Sequence, residues 1–133
     1  MPYWKLYYHF IWATKRRESL ILAEFEADLH SIIAKKGIDL GCIVHAIGGV
    51  EDHIHLAVSV PPKIALAKFI GEVKGNSSHF VNHTVHPGYK FYWQEEYGVL
   101  SFGEKNLPVI VRYILNQKKH HAANNLKDTL EKI

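Results

Sequence analysis

The chain has 133 residues, a length that fits a single domain spanning residues 1–133, and at 47% hydrophobic and 22% charged it is not a disordered chain. No apolar run reaches the ~18–20 residues of a membrane span, Met1–Lys5 lack a secretion-signal core, and the lone Cys42 excludes an intrachain disulfide, so a reducing cytoplasmic setting is expected. A formal net charge of +3 permits a polyanionic partner without requiring one, whereas ten histidines mark the chain as rich in metal ligands and proton carriers.

Residues 3–13 are aromatic and β-branched and read as a strand, followed by the basic cluster Lys15, Arg16 and Arg17. Residues 19–36 carry Leu22, Phe25, Leu29, Ile32 and Ile33 at helical spacing, with Gly37 as the expected stop. Residues 38–47 and 50–60 read as the strands of a hairpin turning at Gly48-Gly49, and Pro61-Pro62 ends it. A second amphipathic helix is expected over 63–82, with Leu66, Phe69, Ile70 and Val73 on its apolar side. Short strands are expected at 90–94 and 97–102, and a third helix at 106–123, with Asn106 as N-cap and Pro108 in its first turn. The tail after Asn124 is polar and expected to fray. This order predicts a ferredoxin-like α+β fold, an antiparallel sheet with helices on one face, the other face open, and a further C-terminal helix.

The segment from Asp52 to Val60 alternates cleanly. Strand side chains change face at every residue, so Ile54, Leu56, Val58 and Val60 share the core side and His53, His55, Ala57 and Ser59 the other. Two imidazoles side by side suit chelation of one cation; two merely exposed histidines is the alternative. Ala57 stands where a histidine-triad hydrolase needs a third histidine, and a two-histidine phosphoesterase needs a second H-x-[ST], which is absent. A structural zinc site needs further strong ligands, and Cys42 is solitary. In the third helix Leu107, Val111, Ile114 and Leu115 form an apolar arc. Tyr113 lies across from its centre, with Gln117 and His120 following at one-turn steps and Lys118 and Lys119 close by. On this helix alone, Tyr113 reads as packed on a partner or exposed.

Taken together, His53-Ile54-His55 and the Y-x-x-x-Q of Tyr113 and Gln117 resemble the single-tyrosine HUH transposases of small bacterial insertion sequences and their REP-associated relatives. The resemblance runs through Tyr8-His9-Phe10-Ile11-Trp12-Ala13-Thr14-Lys15, Lys74-Gly75-Asn76-Ser77-Ser78, Trp93-Gln94, Tyr97-Gly98 and Tyr113 to His121. It implies a metal-dependent endonuclease and strand transferase on single-stranded DNA, with Tyr113 as nucleophile and His53, His55 and Gln117 as ligands of Mg²⁺ or Mn²⁺. It also implies cleavage beside DNA hairpins and a homodimer, with Tyr113 serving either its own or its partner's histidines. Three neutral ligands would leave the cation its full charge to clamp a phosphate oxygen, and His120 or water would take the tyrosine proton. No nucleotide-binding motif is present, consistent with a phosphotyrosine link that conserves bond energy. Lys15, Arg16, Arg17, Lys74, Lys118 and Lys119 are candidate phosphate contacts, and Trp12, Tyr92 and Trp93 candidate stacking platforms; solvated charge and core packing are the alternatives. Segment 90–102 is a candidate pairing edge for the dimer. The competing class is a non-catalytic single-stranded nucleic-acid-binding ferredoxin-like module, which has no need of His53, His55, Tyr113 and Gln117 together; a domesticated relative that cuts host repeats would share all of these residues.

Overall fold

The structure is a computed structural model and describes residues 3–122 and 130–132. Its strands β1 (Tyr7–Ala13), β2 (Ile43–Val50), β3 (His53–Ser59) and β4 (Gly98–Phe102) form one antiparallel sheet in the order β2-β3-β1-β4. The helices are α1 (Ala23–Asp39), α2 (Leu66–Phe80), α3 (Leu107–Leu115) and α4 (Gln117–Ala122). The sequence order and antiparallel pairing are those of the expected ferredoxin-like α+β arrangement.

One face of the sheet builds the main core. Phe10 and Trp12 of β1 and Ile54, Leu56 and Val58 of β3 meet Phe25, Leu29 and Ile33 of α1 and Phe69, Ile70 and Val73 of α2. The spacing of four along α1 continues to Gly37, which is buried inside the helix instead of stopping it. A Cβ there would sit 3.0 Å from Val44 Cγ2, so the missing side chain lets α1 lie close to β2. The turn that follows uses Gly41, at φ 88°, a conformation glycine adopts without strain.

The other face is not open. Helices α3 and α4 lie over β2 and β3, and Ala46 and Ala57 pack against Ile110 and Ile114 in a second small core. The hairpin turns at Glu51-Asp52, and Gly48 and Gly49 belong to β2. A Cβ on Gly48 would come within 2.2 Å of the Ile114 carbonyl oxygen, so the glycine is the seat of α3. The expected single C-terminal helix is broken at Asn116 (φ −107°, ψ 25°), and Asn106 makes no side-chain cap although Pro108 stands in the first turn as expected.

Segment 90–94 is not a strand; Trp93 makes only an isolated bridge to Thr14. Side chains tie it down instead. Asn82 brackets Phe91 through both its amide nitrogen and oxygen, Trp93 Nε1 donates to Ser77 Oγ at 2.9 Å, and Lys74 Nζ donates to the carbonyls of Gln94, Glu95 and Glu96 at 2.6–3.4 Å. The polar tail expected after Asn124 lies outside the described residues up to position 129; Leu130–Lys132 return to the sheet, with the Lys132 carbonyl beside Gly98. No helix among the described residues is long and apolar enough to cross a membrane.

Candidate active site beneath the third helix

Strand alternation places His9 of β1 and His53 and His55 of β3 on the face that α3 covers, and all three are buried. Each of the paired histidines is held through Nδ1. His53 Nδ1 donates to Asp52 Oδ1 at 2.6 Å, and His55 Nδ1 lies 2.8 Å from His9 Nε2. Asp52 is steadied by Arg17 Nε at 3.4 Å from Oδ2. With the Nδ1 atoms engaged, both Nε2 atoms are left without a hydrogen bond among the described residues, buried and turned to one point.

That point is occupied by Glu131. Its Oε1 lies 3.5 Å from His53 Nε2 and its Oε2 3.3 Å from His55 Nε2. The Tyr113 hydroxyl donates to the same Oε2, and Gln117 Nε2 is 3.4 Å from it. Tyr113 is itself buried, with its ring edge-on to His55 at 5.9 Å between centroids. The α3 residues that face the sheet are therefore Ile110, Tyr113 and Ile114, followed by Gln117 at the start of α4. Leu115, expected on the buried arc, is 63% exposed. A helix apolar on most sides leaves its buried face to be chosen by the sheet, and the small residues Ala46, Gly48 and Ala57 make that choice.

Burial depresses the basicity of the cluster. His9 is pushed down to about 3 by burial and by the neighbouring His55 charge. His55 and His121 are lowered chiefly by burial, against the upward pull of Glu131. For Glu131, burial pushes the carboxyl up, but its contacts with His55 and Tyr113 and the His53 charge prevail and hold it at about 2. Asp52 follows the same balance: burial raises it, and His53 and then Arg17 bring it below the usual carboxylate value.

His53, His55 and Glu131 offer ligand atoms all within 4.8 Å of one another. Two imidazole nitrogens and a carboxylate oxygen form a donor set that fits a small divalent cation, and the two buried, unbonded Nε2 atoms are the observation that supports the fit. Glu131 is the carboxylate that this geometry groups with the two histidines of the expected neutral trio. Gln117 borders the cluster, but its Oε1 meets His121 Nε2 at 3.1 Å and its amide nitrogen faces Glu131; it would ligate through oxygen after half a turn of the amide. The His120 ring stacks on Tyr113 at 4.7 Å, a contact of faces, while the phenol hydroxyl is aimed at Glu131.

The candidate DNA contacts separate. Lys15, Arg16 and Arg17 are exposed on a 3₁₀ turn after β1, with Arg16 and Arg17 at φ 57° and 58° and Lys15 Nζ 5.0 Å from the centre of the exposed Tyr92 ring. Lys119 is exposed. Lys118 instead clasps Glu26 at 2.6 Å and the Gly49 carbonyl at 3.2 Å, tying α4 to α1 and β2. Lys74 is committed to the carbonyls of residues 94–96. Trp12 is wholly buried against Trp93 and the main core, so it presents no face to a base. Sequence reasoning missed Glu131, which follows a polar tail, and His9, which alternation along β1 could have placed on the face of His55.

A family model described as "Transposase IS200 like" matches residues 2–117. The ISDra2 transposase TnpA of Deinococcus radiodurans is 28% identical over 120 residues, covering 86% of this chain and 85% of that protein. The transposase for insertion sequence element IS200 of Salmonella typhimurium is 29% identical over 103 residues, 77% of this chain and 60% of that protein. A solved transposase structure from Deinococcus radiodurans R1 superposes with a TM-score of 0.69 at 29% identity, covering 87% of this chain and 93% of the other. The structure of a REP-associated tyrosine transposase bound to a REP hairpin superposes with a TM-score of 0.66 at 16% identity, over 95% and 76% of the two chains, a likeness of fold. The family match spans His53, His55, Tyr113 and Gln117, and the chain belongs to the IS200-like transposase family.

Proposed function

We propose that the protein cuts and rejoins single-stranded DNA at hairpin-bearing element ends through a covalent tyrosine link. The observation that carries this reading is the convergence of the Tyr113 hydroxyl and two buried imidazole Nε2 atoms on one point, within one chain. Tyr113 Oη attacks the phosphorus, the P–O3′ bond breaks, and a 5′-phosphotyrosine and a free 3′-OH result; a second 3′-OH reverses the step without a nucleotide cofactor. His53, His55 and Glu131, with Gln117 at the border, would hold Mg²⁺ or Mn²⁺, which supplies positive charge to a phosphate oxygen when bound. Asp52 and His9 hold the two imidazoles, and Glu131 aims the hydroxyl. At a carboxyl value of about 2, Glu131 is a weak base for a phenol, so its part is orientation and the proton passes to water, the His120 ring being stacked on the phenol instead of facing its hydroxyl.

Lys15, Arg16, Arg17 and Lys119 are the exposed cations proposed to meet phosphates, with Tyr92 beside Lys15 as a stacking surface. The hairpin as partner is supported by the fold relative solved with a REP hairpin. The proposed homodimer would pair along β4, an edge strand on which Leu100 is exposed. The test is a denaturing gel of the protein with labelled single-stranded DNA from its gene's flanks, in Mn²⁺ or EDTA. A protein-linked band that needs metal and disappears in Tyr113→Phe, while hairpin binding persists, is the expected result. A metal-independent mobility shift with no covalent band would replace the proposal with the binding-module reading.

A further inference from the structure

His9 touches neither the reacting groups nor the candidate cation position, yet it is 1% exposed and sits directly behind a candidate ligand. It lies on β1, in register with Ala57 of β3, and its ring lies end to end with that of His55, 5.0 Å between centroids at an 18° interplanar angle. Its Nε2 is 2.8 Å from His55 Nδ1.

A neutral imidazole has one N–H and one lone pair. For His55 Nε2 to offer its lone pair to a cation held beside Glu131, the proton must sit on Nδ1. The hydrogen bond then runs from His55 Nδ1–H to His9 Nε2, and the proton of His9 belongs on its own Nδ1. With the opposite tautomer, His55 would point an N–H at the centre of the cluster and repel a cation. On the other histidine the same service comes from Asp52, whose oxygen accepts from His53 Nδ1 at 2.6 Å. The two candidate ligands are thus backed by different acceptors, an imidazole at His55 and, at His53, a carboxylate of the kind that commonly backs metal-bound histidines.

We infer that His9 is a positioning residue of the active site, fixing the orientation and tautomer of His55 so that its Nε2 faces the cation. The inference rests on the metal reading proposed above, and the experiment separates the two. Mn²⁺ binding to the full chain, without DNA, is measured by calorimetry for the wild type, His9→Phe, His9→Gln and His55→Ala. His9→Phe, which fills the space without an acceptor, is expected to weaken binding by roughly 10–100-fold. His9→Gln, whose Oε1 can stand near the original Nε2, is expected to recover most of that loss. Wild-type protein that binds no Mn²⁺ overturns both the metal reading and the role of His9. Wild-type binding that His9→Phe matches within about twofold, or that His9→Gln loses as fully as His9→Phe, overturns the role of His9 alone. Should His9→Phe fail to fold, long-range ¹H–¹⁵N spectra of the wild-type imidazoles decide: a proton on His55 Nδ1 upholds the inference, and one on Nε2 overturns it.

Discussion

Replacing Gly48 by alanine should lift the helix that carries Tyr113 and nothing else. Gly48 pairs with His55 across the hairpin, and the end of α3 lies directly above it. An added Cβ would stand 2.2 Å from the Ile114 carbonyl oxygen, where such a pair ordinarily keeps roughly 3.3–3.6 Å. Backbone meets side chain here, so no rotamer change relieves the clash, and α3 has to move on the order of 1 Å. Overpacking of this kind costs about 1–3 kcal/mol, or a fall in Tm of about 4–12 °C at ~4 °C per kcal/mol for a domain this size. The chemistry suffers more, because a displacement of ~1 Å at a reacting group costs about 10²-fold in rate. Gly71 is the control: it lies on the exposed side of α2, where a Cβ would meet nothing within 4 Å. Gly71→Ala should leave the rate unchanged and raise stability by up to ~1 kcal/mol, since alanine is the better helix former. Thermal denaturation by circular dichroism, paired with the rate of covalent adduct formation, measures both. A Gly48→Ala protein with the wild-type Tm and adduct rate would refute the argument that α3 is seated by that glycine.

Acid should destabilise the metal-free protein well above the usual carboxylate range. His9 titrates at about 3 in the fold against 6.5 in the open chain, so its contribution is intact above 6.5 and lost as pH falls toward 3, on the order of 4–5 kcal/mol in all. Glu131, held at about 2, and Asp52, also lowered, add stability that is present above their unfolded values and lost as pH falls through their folded ones. Urea unfolding in EDTA from pH 8 to 4 checks this, and a flat profile between 6.5 and 4 contradicts it. Lys74→Met should loosen residues 94–96, visible as faster amide exchange there. It should leave the salt dependence of DNA binding unchanged, whereas Arg16→Ala should lower that slope; a slope change in Lys74→Met would return Lys74 to the DNA-contacting group. Glu131→Gln removes the one carboxylate of the cluster and should weaken Mn²⁺ binding at least tenfold by calorimetry; unchanged affinity would remove Glu131 from the ligand set.

Local periodicity carried the first half of the chain. Alternation along β3 separated His53 and His55 from the core residues, and the four-residue spacing of Phe25, Leu29 and Ile33 marked the buried side of α1. What periodicity could not show is a third layer. Gly48-Gly49 has the composition of a turn, yet the residues are strand because a helix from the far end of the chain needs the space above them. The same unseen contact explains why, of the arc of Leu107, Val111, Ile114 and Leu115, only Ile114 is fully buried, and why Tyr113 is buried among histidines. Lys74 and Trp93 were legible as recurring pieces of a family pattern, but not as pieces that touch: one holds the carbonyls of 94–96 and the other bonds Ser77, on the helix that also carries Lys74. In this chain both side chains are committed to the architecture of that segment.

A buried polar atom without a hydrogen bond is not by itself a site. Trp12 Nε1 and His30 Nε2 share that condition with the Nε2 atoms of His53 and His55, and each such atom costs about 1–3 kcal/mol. The difference lies in what stands around them. Trp12 Nε1 sits in an apolar core, and His30 is lowered chiefly by burial, with no carboxylate in hydrogen-bonding contact. His53 and His55 are backed at Nδ1, face the same carboxylate from 3.5 and 3.3 Å, and lie beside a tyrosine hydroxyl bonded to it. Two penalties incurred at one place, by groups whose other ends are held so that the lone pairs converge, would be repaid together by the single cation proposed there. The packing of α3 over Gly48 then brings Tyr113 to that place within the same chain, so the small residues of β2 and the histidines of β3 serve one geometry.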